Sequence, residues 1–385
     1  MSAPPRARPL DLFTPDEWTP FQTRSPWIGP LLVLHCWAVI ALAIAAGVLW
    51  PILIPLCVAV IGTRQLGLAI LMHEAAHGGL SPDRRLNDFL GHWLCAVPIG
   101  ASLAAYRPYH LAHHKYAQQA EDPDLVLSAP FPVTRASLGR KILRDLTGQT
   151  FFKQRVLFAF RSFASRRDED LAEGAVVTGR SVAPFLLVNL ALLLVLVLAG
   201  VWWAWFVLWL LPMATWFPLV TRLRNIAEHA CVEGSAADPF RAARTTRAAW
   251  WERAFIAPYW VNFHAEHHLF MWVNSYKLPA LHQKLGEKGV LGRMEVAPGY
   301  LSVLREASRK PAPTTTGKVR QTPGAYVGNP PPKLGTQRLR TKCSRRPLRP
   351  TAAPRHTDAS ACTVKLRRRR DCGTARRAEG SWSSA

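Results

Sequence analysis

Two long stretches without a charged side chain limit how this chain of 385 residues can fold. They cover residues 28–62, which is 35 positions, and residues 181–221, which is 41 positions. As single helices they would measure about 52 Å and about 61 Å, whereas the hydrocarbon core of a bilayer is about 30 Å thick. Each stretch therefore predicts a pair of membrane-spanning helices, with turns near Trp50 and Gly200.

The expected fold is an all-α polytopic membrane protein with four transmembrane helices, at about residues 28–49, 52–72, 182–200 and 201–221. Residues 89–105 are also apolar, but Pro98 and Gly100 interrupt them. A full crossing there would place neighbouring histidine motifs on opposite sides of the bilayer. We therefore expect a re-entrant or interfacial segment at this point.

The turns near Trp50 and Gly200 carry no Lys or Arg. Because positively charged loops are retained in the cytoplasm, these two turns are predicted to lie on the far side of the membrane. Both termini, and the histidine motifs described next, then lie on the cytoplasmic face. The expected location is a cell inner (cytoplasmic) membrane, with a helical cap on its cytoplasmic side.

Three histidine motifs, here called boxes, follow the apolar stretches. The first box reads H-E-A-A-H, the second H-L-A-H-H and the third H-A-E-H-H. Residues at i, i+3 and i+4 share one face of a helix, so each box can present its imidazoles to a metal. A further histidine ends the sequence R-N-I-A-E-H. The nine candidate ligands are His73, His77, His110, His113, His114, His229, His264, His267 and His268.

The number of these histidines predicts two metal ions. One zinc ion takes about four ligands, and a catalytic zinc about three from protein, so eight or nine are too many for one ion. Imidazole-rich sites suit iron, copper or zinc, which leaves the element open at this point.

The boxes, their order and the long hydrophobic gap before the third resemble the membrane-bound fatty acid desaturases and hydroxylases. That family holds two iron ions in a histidine cage and uses O2 as co-substrate. The resemblance covers residues 26–308. The family also has an Asn four residues before an extra His, which holds a metal through water. Asn225 and His229 look like that pair.

Carboxylates near the boxes are candidates for orienting the ligands, since a ligating His usually donates its second N–H to a carboxylate or carbonyl. An exposed charge at a helix end or a loop cap is the alternative interpretation. Two further histidines, His92 and His282, lack a partner at ligand spacing and are not included in the predicted site. The candidate carboxylates are Glu74, Glu228, Glu266, Asp122 and Asp124, the last two in a stretch similar to the family's Asp-Pro-Asp.

The resemblance implies an O2-dependent desaturase that acts on the acyl chain of a lipid. A hydroxylase or ketolase on the same scaffold is the alternative, because each of these reactions begins with C–H abstraction. A distant alternative is an intramembrane zinc protease using His73, Glu74 and His77, with Glu74 as general base. An inactive homologue serving as a scaffold is a further possibility. The intact boxes argue against it.

The expected substrate route runs from the lipid to a site at the membrane boundary. The chain shows no haem- or flavin-binding segment, so a separate ferredoxin, rubredoxin or cytochrome is expected to supply electrons. Nucleic acid is not an expected partner.

The formal charge of +23 comes mainly from one end of the chain. Residues 309–385 hold 19 Lys and Arg against 3 Asp and Glu, with nine prolines and few aromatic residues. Such a segment cannot bury enough apolar surface to fold, and it is predicted to be disordered. The predicted division is a cytoplasmic segment 1–27, a membrane domain 28–308 and the tail 309–385. A capping box at Thr14 and Glu17 predicts a short helix in the first segment.

Overall fold

The structure is a computed structural model that describes residues 6–157, 171–232 and 238–309. Contacts divide the chain into two units, Met1–Lys333 and Leu334–Ala385, and every described residue belongs to the first. The predicted disordered tail, 309–385, lies outside the described residues except for Arg309.

The described part of the chain is mostly helical. Short 3₁₀ and π turns join many of the α-helices, including π turns at Leu90–Ala96 and Trp205–Leu210. In chain order the α-helices are α1 Pro15–Gln22, α2 Ile28–Leu49, α3 Ile54–Ala76, α4 Arg84–Phe89, α5 Leu103–Tyr116, α6 Leu125–Ser128, α7 Arg135–Leu146, α8 Gln149–Phe152, α9 Leu171–Leu198, α10 Leu211–Ala214, α11 Trp216–His229, α12 Trp250–Phe255, α13 His264–Leu269, α14 Leu278–Glu287 and α15 Tyr300–Ala307.

Three helical runs in the described residues are long and apolar enough to cross a membrane: Ile28–Leu49, Pro51–Ala76 and Trp205–His229. They correspond to three of the four predicted spans. The fourth, 182–200, corresponds to the shorter apolar helix Val182–Leu198, so a count of four spans remains a prediction. The third run continues eight residues beyond the predicted end at 221. Arg224 and Glu228, an i,i+4 pair with a 2.5 Å contact, support that last part of the helix.

The apolar segment before the second box is bent. The helical runs Arg84–Ile99 and Leu103–Tyr116 meet at 96°, which fits a broken span or a re-entrant loop. Gly100 lies at the corner with a φ of +70°, a conformation that favours glycine. The break therefore falls where the sequence predicted an interruption.

The predicted capping box of α1 is confirmed. Thr14 Oγ1 accepts a hydrogen bond from Glu17 N at 3.3 Å, and Thr14 N donates to Glu17 Oε2 at 3.0 Å. Trp18 and Phe21 of this helix are buried in an apolar cluster with Phe270, which follows the third box. The segment before the first span therefore packs against the residues that follow the third box.

A two-stranded parallel sheet departs from the all-α prediction. β1 Arg244–Thr246 pairs with β2 Glu295–Ala297, with Thr245 opposite Val296. Each strand has three residues, too few for the alternating pattern that identifies a strand in a sequence. β1 is fully buried and lies beside the third box, as described below.

The first box is at the end of the most enclosed long helix. In α3 every residue from Ile61 to Leu68 is buried, and so are both Leu71 and His73.

The loop after the first box runs close to the start of α2. A Cβ on Gly29 would lie 2.0 Å from the carbonyl oxygen of Leu80. Glycine at position 29 is therefore required for this approach.

Candidate metal centre

The nine predicted histidines converge into two groups. In each group the ring nitrogens that could bind a metal lie within 4.8 Å of one another. We call them the five-histidine cluster and the four-histidine cluster. The first contains His73, His77, His110, His114 and His267, and the second contains His113, His229, His264 and His268.

The second and third boxes each contribute to both clusters. His110 and His114 belong to the five-histidine cluster, whereas His113 belongs to the other. In the third box the division is reversed, because His267 alone joins the five-histidine cluster. The sequence placed all three histidines of a box on one helical face and did not predict this division.

The spacing of the ring nitrogens fits a coordination shell. Two nitrogens bound at right angles, each about 2.1 Å from a metal, would lie about 3.0 Å apart. In the five-histidine cluster His114 Nε2 is 2.9 Å from both His110 Nε2 and His267 Nε2. In the four-histidine cluster His229 Nε2 is 2.9 Å from His264 Nε2, which is 3.1 Å from His268 Nε2.

Burial favours the form of imidazole that binds metals. It lowers the pKa of His264, His267 and His268 well below the usual value, and neighbouring histidines add to the effect. Neutral imidazole is the ligand form. In addition, His73 Nε2 is buried without a hydrogen-bond partner among the described residues. Bonds to a metal would satisfy such nitrogens, so the residues fit a metal centre.

Asp122 contacts one histidine of the four-histidine cluster. Its Oδ1 lies 2.8 Å from His113 Nδ1, and both side chains are 3% exposed. The opposite ring nitrogen, Nε2, is 3.2 Å from His229 Nε2. The carboxylate is held by the backbone N–H groups of Gln118 and Asp124. Asp122 thus has the contact expected of a residue that fixes a ligand.

Asp124 is more distant. Its Oδ2 lies 3.8 Å from His113 Nδ1, and its Oδ1 accepts a hydrogen bond from Tyr109 Oη at 2.5 Å.

Glu228 lies at the edge of the four-histidine cluster. One carboxylate oxygen accepts a 2.5 Å hydrogen bond from Arg224 Nε, and the other is 3.4 Å from His264 Nε2. That nitrogen is the one that faces the other histidines. Glu228 therefore lies beside the nitrogen of His264 that would bind a metal. The sequence suggested instead a contact with the opposite ring nitrogen.

Glu74 and Glu266 contact other groups. Glu74 Oε1 accepts hydrogen bonds from Asn274 Nδ2 at 3.1 Å and Ser275 N at 3.2 Å. Glu266 accepts from Thr245 Oγ1, and its other oxygen is 2.5 Å from His282 Nδ1. Within the described ranges, neither carboxylate has a polar contact with a box histidine. Each instead joins its own box to another segment of the chain, Glu74 to residues 274–275 and Glu266 to Thr245 and His282.

Thr245, Asn274 and His282 are the supporting residues that the sequence did not indicate. Thr245 Oγ1 also accepts from Ala265 N, which ties the start of α13 to β1. His282 was set aside for lack of a partner at ligand spacing. Its partner, Glu266, is 16 positions earlier. At that separation the sequence pattern does not indicate which residues are in contact.

Asn225 lines a small pocket beside the four-histidine cluster. The pocket has a volume of about 20 Å³ and is also lined by Glu228, His229 and His264. About 10–15 Å³ is enough for one water molecule. Asn225 Oδ1 also faces Arg224 Nη1 at 3.3 Å. The pocket therefore has room for a water between Asn225 and these histidines.

The sequence profile of the family described as fatty acid desaturase matches residues 49–295. This range contains all nine histidines and every candidate carboxylate. The chain belongs to the fatty acid desaturase family. Membership agrees with the resemblance noted in the sequence, and it makes the zinc-protease interpretation unnecessary, because that interpretation leaves the second and third boxes without a role.

Three proteins similar to this chain are two desaturases and one ketolase. Dihydrorhizobitoxine desaturase of Bradyrhizobium elkanii is 26% identical over 63% of this chain and 70% of its own length. The sn-1 oleoyl-lipid 12-desaturase of Synechocystis sp. is 25% identical over 71% of this chain and 79% of its own length. A beta-carotene ketolase of Paracoccus sp. is 34% identical, over 26% of this chain and 40% of its own length.

Proposed function

We propose that this protein is an O2-dependent di-iron desaturase that introduces a double bond into the alkyl chain of a lipid. The observation that carries the proposal is the pairing of a five-histidine and a four-histidine cluster built from shared boxes. A single metal could not be coordinated by nine imidazoles, whereas two metals in clusters that share boxes can act on one substrate.

The nine histidines would hold two iron ions, and Asn225 would act on one of them through water. When bound, the irons would supply the O2 chemistry needed to attack an unactivated methylene. Desaturation removes two hydrogen atoms from adjacent carbons. With two electrons and two protons from a donor, O2 ends as two waters.

The rest of the proposal concerns partners and location. Electrons would come from a separate ferredoxin, rubredoxin or cytochrome. The protein would cross a bacterial inner membrane four times, with both termini and the metal centre on the cytoplasmic side. The apolar runs and the desaturase family support a membrane protein, and the charge-free turns support this orientation.

Hydroxylation or ketone formation on the same scaffold is the second candidate. The similarity to a beta-carotene ketolase favours it, although that match covers about a quarter of the chain. These reactions also begin at a C–H bond, but they leave oxygen on the carbon.

Product analysis distinguishes these reactions. The full chain is expressed in a host with defined lipids, and the lipids are profiled by mass spectrometry. A loss of two mass units supports a desaturase, and a gain of sixteen supports a hydroxylase. His264→Ala should abolish the product, whereas His92→Ala, a histidine outside both clusters, should not. The purified protein should contain about two irons per chain. A single zinc and no oxidised lipid would refute the proposal.

A further inference from the structure

A cavity of about 180 Å³ lies against the metal centre. We call it the outer cavity. His114 and His268 both line it, and their ring centroids are 4.3 Å apart. His114 belongs to the five-histidine cluster and His268 to the four-histidine cluster. A molecule in the outer cavity would therefore lie beside one histidine of each cluster.

The walls of the outer cavity are mainly apolar. Pro9 and Trp18 line it from the segment before the first span, and Leu269, Phe270 and Val273 line it from the residues after the third box. These two parts of the chain contact each other through Trp18 and Phe270, whose ring centroids are 4.9 Å apart with the ring planes at 56°. Such walls favour an alkyl chain over a polar ligand.

Three polar side chains also line the cavity: Arg6, Gln119 and Asp238. Asp238 is engaged, because it accepts from Phe240 N at 3.1 Å and lies 3.7 Å from Arg293. Arg6 is exposed and forms no ion pair with any of the described residues. Arg6 is therefore the one charged side chain of the lining that has no ion-pair partner among the described residues.

The position of the outer cavity argues against lateral access from the bilayer. Among the described residues, its lining includes none from Ile28–Leu49, Pro51–Ala76, Val182–Leu198 or Trp205–His229, and from the bent pair Arg84–Ile99 and Leu103–Tyr116 it includes only His114, two residues before the end of the second run. It is built instead from segments on the side where the boxes lie. This differs from the route through lipid that the sequence suggested.

We propose that the outer cavity binds the substrate, and that the substrate is a single-chain anionic amphiphile taken from the water-facing side. Arg6 would bind the anionic head group, and the chain would lie along Trp18 and Phe270 toward His114 and His268. This inference rests on the proposed function, since it assigns the substrate of that same metal centre. A cavity of about 150 Å³ holds a benzene molecule, so this one has room for about six to eight carbons.

A phospholipid fits this arrangement poorly. To place one acyl chain in the outer cavity, it would have to leave the bilayer with its second chain exposed to water. Exposure of that chain opposes binding in proportion to its apolar area. A free carboxylic acid with one chain meets no such cost.

Labelling of an introduced cysteine tests the inference in the full-length protein in nanodiscs. Ala7 lines the cavity, and a water-soluble maleimide should label Ala7→Cys. Decanoate should slow this labelling at least fivefold. Ala136→Cys, on the exposed face of α7, is the matched control, and its labelling should not change. Cysteines of the natural chain are corrected for by labelling the unsubstituted protein.

The role of Arg6 is tested in the Ala7→Cys background. Arg6→Gln should raise the decanoate concentration that gives half protection about tenfold. Arg8→Gln removes an exposed arginine that does not line the cavity, and it should leave this concentration unchanged. Equal effects of the two substitutions would show that decanoate is attracted to the basic segment in general, and they would overturn the inference.

Two further outcomes separate the inference from the proposed function, because labelling needs neither iron nor turnover. If decanoate gives no protection while the protein desaturates chains of the nanodisc phospholipid, the inference is wrong and the proposed function stands. If decanoate protects but neither decanoate nor phospholipid is oxidised by the iron-loaded protein with donor and O2, the binding site stands and the proposed function is wrong.

Discussion

His267 and His268 are adjacent in the chain, but their imidazoles belong to different clusters. Their ring centroids are 6.0 Å apart, and the ring planes are at 89°. One short helix, α13, therefore sets the relative position of the two metal sites. The two histidines are adjacent candidate ligands, and substitutions of them should have separable effects.

Replacing each of them should remove metal to a different extent. His268→Ala leaves three histidines in its cluster, whereas His267→Ala leaves four in the other. We expect about one iron per chain for His268→Ala and a higher content for His267→Ala, measured by elemental analysis of purified protein. His92→Ala should keep the content of the unsubstituted protein. The reverse order of the two variants would contradict the division into clusters described above.

Asp122→Asn should weaken metal binding without removing a ligand. The amide keeps the size of the side chain but loses the charge that orients His113, and loss of such a partner costs about 10- to 100-fold in metal affinity. Competition with a chelator measures this affinity. Asp124→Asn, whose carboxylate is 3.8 Å from the same nitrogen, should have a smaller effect. Equal effects would mean that the two carboxylates share this role.

Gly29→Ala should destabilise the protein. The added Cβ would lie 2.0 Å from Leu80 O, and overpacking of this kind costs about 1–3 kcal/mol. Gly139→Ala is the matched control, because it lies in α7 with nothing within 4 Å of its Cβ. It should raise the free energy of unfolding by about 0.5–1 kcal/mol. Thermal denaturation in detergent compares them, and a similar melting temperature for both would refute the close approach.

Acidification should loosen the segment that forms one wall of the outer cavity. Lys288 and the backbone N–H of Thr14 lower the pKa of Glu17 from 4.5 to about 2. The ionised carboxylate is favoured in the packed state, so its contribution is complete above pH 4.5 and is lost as the pH falls through 2. The side chain of Glu17 is 24% exposed, and salt should reduce the effect.

Pepsin cleavage in this segment measures the change. Glu17→Gln should be cut faster than the unsubstituted protein at pH 4, and the ratio of the two rates should approach one at pH 2. Lys284 pairs with both Glu17, at 3.3 Å, and Glu287, at 3.0 Å, so Glu287→Gln serves as the control. A ratio that does not depend on pH would exclude the ion pair as the cause.

The sequence predicted the features that depend on composition or on short spacing. Residues 28–49 form a helix with those bounds, the break falls at Gly100, and Thr14 caps α1. The boxes carried enough information to indicate the family, which the matching profile confirms. All of these signals lie within a few residues, or within one apolar run, of the feature that they predict.

The division of the histidines could not be predicted in this way. Spacing at i, i+3 and i+4 places His110, His113 and His114 on one helical face, and only the approach of the other boxes decides which nitrogen faces which cluster. Contacts such as Thr245 with Glu266 join residues 21 positions apart. A strand of three residues leaves no periodic pattern, so the sheet was also missed.

The pairing of β1 with β2 has a consequence for biogenesis. β1 carries Thr245, which anchors both Glu266 and the start of α13, and β1 finds its only strand partner in the described ranges at Glu295–Ala297. The ribosome therefore adds the last candidate ligand, His268, before it adds the strand that pairs with β1. We expect maturation of the proposed metal centre to be a late event, because β2 contains none of the candidate ligands and is synthesised after all of them.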